Sequence, residues 1–265
     1  EQAREGRRVI EQRYEKEPTL STGRLLIWAL YQEARVLGSR EGISMGRWAE
    51  ASALLERSMT LARELAKSDA EDTATRNNLA SAAAELASLR LETDAASALA
   101  LYDEAYRWRN ELPAQHVNNT EKLHMMAGSV RALVRLRRLE EAAARLEELL
   151  RILRERKIYP GKLEPGSYGA SALRAKTELE EARGNRDQAR QVWEEIAMGY
   201  EGGGRQADAD LQWALAFSEA YRALARLGET NESAAWREKD QAIWQIWARR
   251  LPASGFVEGQ LRASR

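Results

Sequence analysis

Cysteine is absent from this chain, and proline, histidine and phenylalanine are scarce, at five, two and two of 265 residues. Without thiols there are no disulfides, no thiolate nucleophiles and no cysteine-ligated zinc ribbons, and the redox compartment stays open. Pro18, Pro113, Pro160, Pro165 and Pro252 each fall where helical periodicity breaks, which is where a ring that cannot donate an N–H is tolerated. No aromatic or β-branched run alternates with period two, so the pattern predicts no strand. No apolar run approaches the roughly 20 residues that span a bilayer, and no signal peptide is visible, so no direct membrane insertion is expected. Net charge is also missing. Lys plus Arg and Asp plus Glu number 41 each, and without a basic excess to displace phosphate counterions a general nucleic-acid role is disfavoured. The chain opens on Glu1 rather than Met, as expected of a piece excised from something longer.

Catalytic templates are lacking too. The chain holds no glycine-rich loop ending in lysine, no HExxH, no Gly-x-Ser-x-Gly and no kinase loop set. The "GGG" at 202–204 stands between helical stretches and reads as a flexible connector. His116 and His124 read as solvated or structural histidines rather than metal ligands. The adjacent pairs Glu147-Glu148, Glu180-Glu181 and Glu194-Glu195 point about 100° apart on a helix, which makes solvated faces rather than acid/base dyads. The expectation is no enzyme, no cofactor and no metal.

Apolar residues make up 44% of the chain and charged residues 31%, with Ala, Leu, Glu and Arg, all strong helix formers, dominant. Self-comparison exposes a repeat. Ala51-Leu55-Ser58, Ala98-Tyr102-Ala105, Ala142-Leu146-Leu149 and Ala189-Trp193-Ile196 share one spacing and begin 47, 44 and 47 residues apart. Positions i, i+4 and i+7 lie on one helix face, where a small Ala admits a close neighbour and the large residue fills the next gap. A lone helical hairpin cannot bury both of its apolar faces, so stacking is expected. The predicted order is an orphan helix over 1–17, hairpins over 21–67, 74–111, 119–157, 168–199 and 207–250, and a tail over 251–265. The whole of 1–265 reads as a single repeat array.

These residues resemble the tetratricopeptide repeat (TPR). "GRWAEASALLERS" offers Gly46, Trp48, Glu50, Ala51, Leu55 and Ser58, and "GNRDQARQVWEEI" offers Gly184, Ala189, Trp193 and Ile196. "RRLEEAAARLEELL" keeps Glu141 and Ala142 but has Arg137 at the glycine position, and the fifth unit puts Ser233, Arg237 and Asp240 in core slots. The resemblance covers nearly the whole chain, with a period longer than the family's usual ~34 residues. "LARELAKSDAEDTATRNNLASAAAELASL" and "AIWQIWARRLPASGFVEGQL" look like the long-period TPR arrays that follow the kinase domain in bacterial membrane-anchored Ser/Thr kinases.

The resemblance implies an all-α, right-handed α-solenoid of about five hairpins that serves as a protein-interaction, docking or sensor region. It also implies a groove lined by the first helix of each hairpin. The register transfers to Arg90, His124, Arg131, Arg135, Arg174, Glu178 and Arg222, and arginines there would favour an acidic or C-terminal-carboxylate partner. No Lys/Asn carboxylate clamp is present, since Asn77 and Asn78 precede the matching positions. A module that senses a peptide or small ligand in the concave groove and a structural oligomerisation module are the alternatives.

The last predicted helix places Trp236, Ile243, Trp244 and Trp247 on an apolar arc of about 200°. That is wider than a single neighbouring helix covers. The expected cover is the tail, through Phe256, Val257 and Leu261, with self-association to a homo-oligomer as the alternative.

Overall fold

The structure, a computed structural model, describes residues 1–40, 42–69, 72–112, 121–204 and 206–264. Pro113 and His116 lie outside them. Among the described residues there are twelve α-helices and no strand. They are α1 (Gln2–Lys16), α2 (Leu20–Leu37), α3 (Trp48–Ser68), α4 (Thr73–Arg90), α5 (Ala95–Asn110) and α6 (Glu121–Arg135), then α7 (Leu139–Glu155), α8 (Tyr168–Arg183), α9 (Arg186–Gly202), α10 (Leu211–Leu227), α11 (Thr230–Arg250) and α12 (Gly255–Ala263). The protein is all-α, and consecutive helices pack together within each of two compact units, Glu1–Leu136 and Arg137–Arg265. The boundary falls inside the third predicted hairpin, so 119–136 belongs to the first unit and 139–157 to the second.

Local chemistry explains where these helices start. Thr19, Asp72, Ser167 and Asp210 cap α2, α4, α8 and α10 by accepting from the N–H of Thr22, Thr75, Ala170 and Trp213, which satisfies donors that have no partner inside a helix. The helices α3, α7, α9 and α11 begin without a side-chain cap. Three of these starts follow a left-handed residue, Gly46 at φ 71°, Arg137 at φ 59° and Gly184 at φ 83°. At Gly184 the N–H of Asn185 returns to the carbonyl of Glu180, closing α8 in the manner of a Schellman cap.

The repeat positions are core. Ala51, Ala98, Ala142 and Ala189 are fully buried, and Leu55, Tyr102, Leu146 and Trp193 are buried beside them. Small residues elsewhere answer the large ones. A Cβ on Gly128 of α6 would collide with the Tyr102 ring, so α5 and α6 approach only because Gly128 has none. In the second unit the proline-glycine loop after α7 sends Leu163 into the core, where a Cβ on Gly199 would strike it. Buried polar groups are partnered where the stacking demands them. The Ser58 hydroxyl donates to the Ile27 carbonyl at 3.2 Å, and Glu33 accepts from Arg4 and Arg7, tying α1, which buries no residue fully, to α2.

Two segments differ from the sequence pattern. The predicted tail forms α12, capped by the Ser254 hydroxyl accepting from Val257 N–H. The glycine connector begins later than expected, since α9 runs through Gly202 and the turn falls at Gly203 and Gly204, the latter at φ 75°.

Candidate interaction surfaces

In the first unit α2 and α6 both pack on α4, so these three helices form a layer. The buried side of α2 carries Gly23, Leu26, Ile27, Leu30 and Ala34. At 100° per residue its opposite side carries Leu25, Trp28, Gln32 and Val36. Leu25 and Trp28 stay 41% and 55% exposed, which sets them apart from the core. Tyr31 lies at the edge of this stripe. Burial, and next the charge of Glu85 on α4, push its phenol above the ordinary tyrosine range; Glu121 on α6 adds to this, while Arg35 and Arg109 oppose it. Arg109 is itself buried, donating to Ser81 Oγ at 3.0 Å and pairing with Glu121. Side chains of α2, α4, α5 and α6 therefore meet at one polar cluster.

The groove residues expected from the sequence fall into separate settings. Arg135 grips Glu92 with Nη2 at 3.0 Å and Nε at 3.2 Å. That hydrogen bonding holds Glu92 below the usual carboxylate range against a burial penalty, with the charges of Arg135, Arg131 and Arg40 reinforcing it. Arg131 and Arg135 are thus brought together. Arg90 turns instead to Ser97 Oγ at 2.6 Å and to Glu56 of α3. His124 is half-buried on α6. In the second unit Arg174 pairs with Glu219 at 2.6 Å, and Glu178 stands half-buried one turn further along α8. Arg222 is held by Asp240 at 2.6 Å and by the side chain and carbonyl of Gln260 at 2.9 Å each. Carboxylates from neighbouring helices, and Glu92 from the turn after α4, already occupy most of these guanidinium groups.

That occupation is periodic, and sequence reasoning missed it. Arg24–Asp72, Arg57–Glu11, Arg63–Glu104, Arg174–Glu219, Arg190–Glu232 and Arg226–Glu181 join residues 41 to 48 apart, close to the repeat spacing itself. The available signal was the recurrence of opposite charges one repeat apart. Each exposed pair is worth little alone, about 0–1 kcal/mol, but each favours one register of stacking over a slipped one.

On α11, Trp244 is fully buried, and its indole Nε1 donates to Ser218 Oγ at 2.8 Å and Asp240 Oδ1 at 3.1 Å. Phe256 of α12 meets the Trp244 ring edge-on at 6.1 Å, and Val257 is fully buried. Ile243 is buried. Trp236 stacks on Tyr221 at 5.3 Å under the Lys239 ammonium. Trp247 is half-buried, donates from Nε1 to the Ala207 carbonyl at 3.1 Å and carries Arg250 over its ring. The aromatic cluster belongs to the core of the second unit, and α12 lies over part of it.

Beside this cluster a cavity of about 560 Å³ is lined by Arg222, Ala225, Arg226, Gly228, Ser233, Arg237, Asp240, Ala263 and Ser264. Among the described residues no group of three or more His, Asp or Glu side chains is placed to hold a metal ion, and no helix is long and apolar enough to cross a membrane. No protein-family model matches the chain, and no match is found among curated proteins.

Proposed function

We propose that this chain is a non-catalytic protein-interaction module, a TPR-like right-handed solenoid of about five helical hairpins, whose first unit docks an acidic peptide on the layer of α2, α4 and α6. The observation that carries the reading is the arginine cluster at Glu92, where Arg40, Arg131 and Arg135 all act on a single carboxylate. Guanidinium groups gathered in this way recognise additional carboxylates through paired N–H donors. Leu25 and Trp28, exposed on the same layer, supply an apolar anchor of the kind that dominates binding energy at interfaces. The resemblance to repeat regions of bacterial Ser/Thr kinases makes docking or sensing for such an enzyme the setting we favour.

An array of acidic and charge-neutral peptides, some containing an aromatic residue, tests this with purified protein. Acidic peptides are expected to bind the native chain, and Arg131→Glu is expected to abolish their signal. Trp28→Ala is expected to weaken the aromatic-containing peptides by about 2 kcal/mol or more. Equal binding by native and Arg131→Glu proteins, with matching helical circular dichroism, overturns the proposal.

A further inference from the structure

We propose that the cavity bounded by α10, the start of α11 and the end of α12 binds a phosphate monoester carried by a small molecule. Three arginines line it, Arg222, Arg226 and Arg237, against one carboxylate, Asp240. Asp240 is spent inside the fold. One oxygen accepts from Ser218 and Trp244 and the other from Arg222, so its charge is set against that of Arg222 and the lining keeps an excess of two arginines. Arg226 is shared with Glu181 and Arg222 with Asp240 and Gln260, yet a guanidinium has more N–H groups than these bonds consume. Arg237 makes no hydrogen bond or ion pair with any described residue, and it stands exposed at the wall.

A second, independent feature points the same way. Ser233 as a residue is 6% exposed and lines the cavity, and its hydroxyl has no hydrogen-bond partner among the described residues. Its oxygen is not among the fully buried polar atoms, so it is open to a ligand that enters the cavity. Ser233 stands at the first turn of α11, a helix of 21 residues that begins without a side-chain cap. The free backbone N–H groups and the positive end of the helix dipole there favour negative charge. Gly228, just before that turn, also lines the wall.

Size and charge narrow the ligand. The volume lies within the range of small-molecule sites and exceeds a bare ion, so the anionic group is attached to a larger body. A phosphate monoester presents three terminal oxygens and close to two negative charges. It engages arginines from two helices, a hydroxyl and a helix N-terminus together, which a carboxylate with two oxygens and one charge does not.

Isothermal titration of the intact chain with phenyl phosphate tests this, with malonate and acetate as carboxylate comparisons. Saturable binding of phenyl phosphate is expected, weaker by about tenfold or more in Arg237→Gln. It is expected to be unchanged in Arg13→Gln, an exposed arginine of the first unit. Arg237 has no hydrogen-bond or ion-pair partner among the described residues, so its replacement is expected to leave the structure intact, which circular dichroism checks. Absence of binding, equal affinity in Arg237→Gln, or malonate binding as tightly as phenyl phosphate each overturns the proposal.

Discussion

Asp240 of α11 and Arg222 of α10 form a 2.6 Å ion pair in which the carboxylate is almost wholly buried and the guanidinium reaches on to Gln260 of α12. One carboxylate in the slot that the other repeats fill with Ser58, Ala105, Leu149 and Ile196 thereby holds three helices together. Removing one partner of a buried pair leaves the other charge stranded.

Asp240→Ala is therefore expected to lower the stability of the second unit by about 3–5 kcal/mol, read as a shift in chemical denaturation. Trp244 loses one acceptor at the same time and keeps Ser218, so its emission should move to the red before global unfolding. A stability loss below about 1 kcal/mol would mean that the pair behaves like an exposed one.

Arg137→Gly should stabilise the protein. Arg137 holds φ 59°, a left-handed conformation that costs an L-residue with a Cβ roughly 1–2 kcal/mol. Glycine gives back part of that gain through its freer unfolded chain. The net expectation is a gain of about 0.5–1 kcal/mol, seen as a higher thermal midpoint. A lower midpoint would show that the 3.4 Å bond from Arg137 to the Ala182 carbonyl matters more than the backbone strain.

Gly128→Ala should cost about 1–3 kcal/mol through overpacking against the Tyr102 ring. The loss should shrink when Tyr102→Leu is made in the same chain, because the smaller side chain vacates the space. Additive losses in the double variant would rule out this contact as the cause.

Asp72 supplies a pH test. Burial raises its carboxyl, but hydrogen bonds from Arg24 and Thr75 outweigh this and hold it below the ordinary range. A folded-state value below the unfolded one, near 3.9, means stability that is present above that pH and lost as pH falls through the folded value. The stability difference between the native chain and Asp72→Asn should accordingly be level near neutrality and narrow below about pH 4. A difference that does not change with pH would mean that the native cap works without its charge.

Helix composition and the Ala-spaced motif were legible in the sequence because both express local rules. Leu25 and Trp28 were legible only in part. Residues 25–30 read "LLIWAL", apolar all round, and nothing local says which side of α2 is left uncovered. The arginines expected in the groove lie on α4, α6, α8 and α10, yet the carboxylates paired with Arg90, Arg135, Arg174 and Arg222 stand 34, 43, 45 and 18 residues away in the chain. The tail was expected to cover the apolar arc of the last helix, with self-association as the alternative, but its own helix was not expected, since nine residues give a weak periodic signal.

By itself the sequence determined that this protein is helical, because propensity, period and proline placement act within a few residues of one another. Only the tertiary structure decided which arginines are spent on Glu92, Glu219 and Asp240, and which, like Arg237, are left over. It also decided that Asp240 is buried and that the Ser233 hydroxyl meets no partner among the described residues. Those outcomes depend on distances between helices tens of residues apart, which packing sets and local sequence does not.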